Sequence, residues 1–204
     1  MDSNSPFVLT PRQKATQVRG FASMHRRHLG PVAGAAAFAA TLGRFAGLRL
    51  RSRGGNSPMV DDAVAMAVAS YRTLAQRLGE DAALTAVRDQ VVATGGRMMQ
   101  DWLPEERTVP ALGQAVRVIM GDAEQRRIYR LDGLATTDTG LRLDVTACRY
   151  AELCRRHGAP EVASVFCAVD QPFVADALPG LAFRCDTTIA KGDDRCRFRA
   201  GDEA

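Results

Sequence analysis

The sequence predicts an α+β domain, with a helical N-terminal part packed with a small antiparallel sheet and two helices in the C-terminal part. Three observations carry this. Over the first 121 residues, apolar side chains recur at helical spacing between proline and glycine punctuation. From about Arg127 the pattern switches to short extended runs joined by turn residues. All five cysteines (Cys148, Cys154, Cys167, Cys185 and Cys196) fall in the last third of the chain, so the two parts differ in chemistry as well as in periodicity. A chain of 204 residues, 46% hydrophobic, can bury one core. The expected layout is a mobile tail over 1–9 and a single domain over 10–204, mainly helical to 121 and mixed from 122 onward.

Thr10-Pro11 starts the first helix, with Thr10 as cap and Pro11 in the first turn, and Gly30-Pro31 ends it. A second helix covers Val32 to Leu48, and Arg51 to Pro58 reads as a loop. The third begins near Val60, places Val64, Ala67, Val68 and Tyr71 on one face, and stops at Gly79. Asp81 caps a fourth, which Gly95-Gly96 is expected to weaken or end because glycine costs about 1 kcal/mol in a helix interior. Pro110 to Met120 is the fifth, closed by Gly121. Strands follow at Arg127 to Leu134 and Leu141 to Val145, joined by a turn at Thr136 to Gly140. Ala147 to Arg156 is a short helix ended by His157-Gly158, where an imidazolium would suit the helix dipole. Pro160 to Ala177 is mostly helical. Leu181 to Ala190 and Cys196 to Ala200 read as a hairpin around Lys191 to Asp194.

Composition excludes several classes. The net charge of +4 is mild. The arginines between Arg19 and Arg53 read as a solvated arginine-rich surface, so no nucleic-acid partner is expected. The apolar run Pro31 to Gly43 is too short to span a bilayer and reads as a close-packed core helix, so no membrane is expected. An odd cysteine count without a secretory pattern favours a cytoplasmic setting. No Cys-x-x-Cys occurs, the histidines are only His25, His28 and His157, and neither a metal nor another cofactor is expected. A homo-oligomer stays open.

The informative stretch is Cys148-Arg-Tyr150-Ala-Glu152, then Gly158-Ala-Pro-Glu161, Cys167-Ala-Val-Asp170, Thr188-Ile-Ala-Lys-Gly192 and Cys196-Arg-Phe198-Arg199. In order and spacing, over roughly Leu141 to Arg199, this resembles the L-2-amino-thiazoline-4-carboxylic acid hydrolase family. Two motifs depart from that pattern: Arg197 stands where the family has aspartate, and Cys185-Asp186 where it has Arg-Thr. In the expected register Cys185, Cys196 and Phe198 share one face, while Arg184, Asp186, Arg197 and Arg199 share the other, so Asp186 would pair with Arg197 or Arg199.

The resemblance implies hydrolysis of a small cyclic amidine bearing a carboxylate, opened at a carbon–nitrogen bond. Cys148, at a helix start, is the candidate nucleophile, since helix amides and dipole lower a thiol pKa. Glu152 lies four residues on and could serve as general base. Asp170 could orient the substrate amine or act as acid or base. Arg184 and Arg199 could hold the carboxylate in a bidentate grip. Tyr150, Cys167, Thr188 and Cys196 complete the expected binding set. Met98, Met99 and Trp102 read as packing at a helix end. Two alternatives remain. One is an enzyme opening or forming another small nitrogen heterocycle. The other is a non-catalytic small-molecule-binding module, since the closing hairpin also looks distantly like the 4-vinyl reductase domain.

Overall fold

The computed structural model describes residues 7–52, 57–100, 102 and 105–202. Its element order is five long helices, two strands, three short helices and two further strands. The α+β expectation holds. The part of the tail before Phe7 lies outside the described residues, while Phe7 and Leu9 are buried. Phe7 stacks obliquely on Trp102, with ring centroids 5.8 Å apart.

Helix α1 (Pro11–Leu29) opens with a reciprocal cap. Gln13 N donates to Thr10 Oγ1 at 3.2 Å, and Thr10 N donates to Gln13 Oε1 at 2.9 Å. Gly30, at φ 81°, turns the chain directly into α2 (Pro31–Arg51). α2 packs against α1 and α3 but buries only Gly34, Ala37, Thr41 and Leu48, leaving Val32 and Leu50 well exposed. The helix outruns the Pro31 to Gly43 segment, and its 21 residues are long and apolar enough, by length and composition, to cross a membrane. The loop expected from Arg51 starts one residue later, and residues 53–56 lie outside the described residues.

The α1–α2 crossing is tight at Gly34. A Cβ there would stand 2.6 Å from the backbone of Arg26 and His25. Gly34→Ala is therefore expected to cost about 1–3 kcal/mol in urea unfolding, because backbone cannot yield. Gly43→Ala on the same helix, where a Cβ meets nothing within 4 Å, is expected to stabilise by about 0.5–1 kcal/mol.

Helix α3 (Pro58–Leu78) is the core element, with 13 buried residues from Met59 to Leu74. Asp61 is buried on it and receives Arg149 at 3.1 Å, with Arg49 3.9 Å away. Helix α4 (Glu80–Gln100) runs straight through Gly95-Gly96, against expectation. A Cβ at Gly95 would lie 3.1 Å from Val169, so this glycine serves a close approach of the following segment, and packing outweighs its propensity. Helix α5 (Val109–Gln125) likewise continues through Gly121, with Met120 and Ala123 buried on either side.

Strands β1 (Tyr129–Thr136) and β2 (Gly140–Cys148) form a bulged hairpin. They extend into one antiparallel sheet ordered β1-β2-β4-β3, with β3 (Phe183–Cys185) at the edge and β4 (Cys196–Gly201) inside. Between them lie α6 (Arg149–Arg156), a 3-10 turn at Pro160–Val162, α7 (Ala163–Cys167) and α8 (Asp170–Ala177). The long strand expected over Leu181 to Ala190 stops at Cys185, and Ile189–Lys191 forms a 3-10 turn. Asp193 causes this: its carboxylate accepts from Thr188 N at 2.7 Å, while Thr188 Oγ1 caps Ala190 N. His157 does end α6, but as a buried neutral ring. Burial lowers its pKa, and so do Arg72, Arg156 and Arg51. Its Nε2 lies 3.1 Å from Ser52 Oγ.

Candidate active site

Strand alternation decides the site. On β2, Leu141, Leu143 and Val145 point inward, and on β4 so do Cys196, Phe198 and Ala200. Opposite them α1, α3, α4 and α5 contribute apolar side chains, and α6 to α8 close one end. The space enclosed is a cavity of about 440 Å³. Met98, Met99 and Trp102 line it, so they are wall residues and not merely helix-end packing.

At the closed end sit Cys148, Tyr150, Cys167 and Asp170, with Tyr129 beside them. Tyr150 stacks on Tyr129 at 6.1 Å and tilts against Phe166 at 4.8 Å. Both tyrosines are held neutral, their pKa values raised by burial and by neighbouring acidic groups. Thr188 joins the thiols behind the wall: its Oγ1 lies 3.6 Å from Cys167 Sγ and 3.6 Å from Cys196 Sγ. Asp170 opens α8 and retains partial exposure, which faces the cavity it lines. No described side chain bonds its carboxylate, and burial alone pushes its pKa up to about 7. A carboxyl without a charged partner, desolvated by an apolar wall, is poised to gain or lose a proton near neutrality.

Cys148 caps α6 and receives the help expected from the Ala151 and Tyr150 amides. Burial is nevertheless the larger effect and pushes the thiol up to about 12. The expected lowering is thus reversed, and Cys148 is a neutral thiol at pH 7. Cys167 is likewise pushed up to about 11, mainly by burial. In a mass-spectrometric alkylation series, exposed Cys185 is expected to label before Cys148. Cys148 is expected to react at least about a hundredfold more slowly than an unperturbed thiol at pH 8, with a rate still climbing at pH 10.

Three expected site residues lie elsewhere. Glu152 is exposed on the far side of α6, 2.5 Å from Arg156 and 3.7 Å from Arg149. The i,i+4 spacing from Cys148 fails because Cys148 ends β2 and is not a helical residue. Arg184 and Arg199 face each other across β3 and β4, as expected, but on the sheet face away from the cavity. Arg199 donates to Asp144 Oδ1 at 2.9 Å, Arg142 to its Oδ2 at 2.8 Å, and Asp144 is held below its usual pKa by these two arginines despite burial. Asp186 binds Arg184 at 2.9 Å, so the expected pairing with Arg197 or Arg199 is replaced. Among the described residues, no group of three or more His, Cys, Asp or Glu side chains is placed to hold a metal ion.

The order of these motifs matches a family model: that of the L-2-amino-thiazoline-4-carboxylic acid hydrolases covers residues 60–200. The chain belongs to this family. The match takes in α3 to β4, so the hydrolase-family region includes the whole closed end of the cavity, while α1 and α2 precede it. A comparison with curated protein sequences gives no match. Among solved structures the chain is similar to an H-NOX protein from S. oneidensis in the Fe(II)NO ligation state, at 11% identity. That likeness covers 89% of this chain and 97% of that one, with a TM-score of 0.45, too loose to carry site residues across.

Tyr129 and the methionine and tryptophan wall escaped sequence reasoning. Tyr129 lies outside the family-like motifs, and only its pairing with Cys148 across the β1–β2 hairpin brings it to the site.

Proposed function

We propose that the protein is a hydrolase that opens a cyclic amidine at a carbon–nitrogen bond, with Asp170 as its acid–base residue. The observation that carries this reading is the unpartnered Asp170 carboxyl at the closed end of the cavity. The ionised carboxylate pairs with a protonated amidine and takes a proton from water as the water oxygen bonds to the amidine carbon. The ring carbon–nitrogen bond then breaks, and Asp170 returns that proton to the departing nitrogen. Water is consumed, no electrons change hands, and the product is an open-chain amide or carbamoyl compound with a free amine. Cys148 and Cys167, as neutral thiols, and Tyr150 wall the ring and keep bulk water out.

The test is a mass-spectrometric assay for gain of one water by 2-amino-thiazoline and imidazoline compounds. Activity is expected to rise with pH through about 7, because Asp170 must be ionised to accept the proton. A Cys148→Ala variant that keeps most of its rate agrees with direct attack by water. Loss of all turnover in that variant would replace water by the thiol as the attacking group, and failure to hydrate any cyclic amidine would overturn the reading.

A further inference from the structure

The cavity is built for more than a single small ring. About 440 Å³ lies within the ~300–1,000 Å³ typical of sites for drug-sized ligands. Five of the chain's seven methionines line it: Met59, Met66, Met98, Met99 and Met120. Unbranched thioethers adapt to irregular apolar shapes, and these five sit on the long helices α3, α4 and α5.

Charge is as telling. The charged lining groups among the described residues are Asp170, Lys14 and Asp62. Asp62 is ion-paired with Arg49, and Lys14, exposed, is the lining cation left among the described residues. The arginines expected to hold a carboxylate, Arg184 and Arg199, are bound to Asp186 and Asp144 on the other face of the sheet.

We infer that the substrate is a cyclic amidine carrying a long apolar substituent, its ring against Asp170 and its tail among the methionines. This rests on the hydrolase reading for the reacting end, whereas the apolar preference stands on the wall alone.

The test separates the two. Equilibrium binding of 2-alkylimidazolines of increasing chain length to the full chain is expected to tighten by about fourfold per methylene until the cavity is filled. Met98→Arg, with folding checked by thermal melting, is expected to abolish that gradient. Chain-length-dependent binding together with hydrolysis of the long-chain compounds supports the inference. Flat affinity along the series, with 2-amino-thiazoline-4-carboxylate hydrolysed, overturns it and leaves the hydrolase reading in place. A steep gradient with no hydrolysis of any member overturns the hydrolase reading, and the substrate assignment with it, leaving an apolar ligand site.

Discussion

Asp170→Asn is expected to lower turnover by about 10²–10⁴-fold and, above pH 7, to make the protein more stable. The two effects share a cause. The carboxyl is surrounded by apolar wall and by neutral thiols and phenols, and no cation offsets its ionisation. Its pKa therefore rises from 3.8 to about 7 on folding. Below about pH 4 it is protonated in the folded chain, and increasingly so in the unfolded chain, so asparagine brings little gain. Between there and pH 7 the unfolded chain ionises first, and the native protein loses stability as pH rises. Above pH 7 the whole penalty stands, up to roughly 4 kcal/mol for a shift of this size. Parallel thermal melts of the two proteins at pH 4 and pH 8 check it: the curves should nearly coincide at the lower pH and separate by several degrees at the higher. An amide that cost both activity and stability at pH 8 would point to a structural carboxylate. The pairing of lost activity with gained stability is what a proton-handling group in a dry site should show.

Asp61→Ala is expected to destabilise the protein by about 3–5 kcal/mol, the largest loss predicted for a single side chain. Asp61 is 2% exposed on α3 and binds Arg149, itself only 13% exposed, at 3.1 Å, with Arg49 of α2 at 3.9 Å. Arg149 is the first residue of α6 and follows Cys148 directly, so this bond fixes where the strand ends and the helix begins. Removing the carboxylate leaves a buried guanidinium with only exposed Glu152, 3.7 Å away, which costs more than the pair contributes. Urea unfolding measures the loss. Exchanging both partners at once, with Asp61→Leu and Arg149→Met, should recover a good part of it, whereas a purely steric role for Asp61 would make the double variant no better than the single. Because α6 carries Tyr150, the single variant should also weaken ligand binding at the closed end of the cavity.

Much of the fold was legible in the residue pattern. Helical periodicity over α1 to α5, the Thr10-Pro11 start, and the glycines at 30, 79 and 158 that adopt positive φ are local signals, and the chain obeys them. The misreadings share a form. Gly95-Gly96 and Gly121 look like breakers but sit inside helices, because Val169 presses on one helix and buried neighbours hold the other. Asp193 reads as part of a turn, yet its carboxylate on Thr188 N ends β3 early. In each case a partner distant in sequence or a side-chain bond overrode a weak local propensity.

The same division runs through the site. By itself the sequence determined the family, the α+β class, and the set of thiols and carboxylates near the C-terminus, because these follow from ordered motifs and short-range periodicity. Alternation along the strands even placed Arg184 with Arg199, and Cys185 with Phe198, on common faces. Only the tertiary structure decided which face meets the cavity. The sheet turns Cys196 and Phe198 inward and leaves Arg199 to Asp144 and Arg184 to Asp186. It set Asp170 in a dry wall and withdrew Glu152 to the surface. It also reversed the direction of the Cys148 pKa, since burial against neighbouring elements outweighs the helix amides that the local sequence supplies.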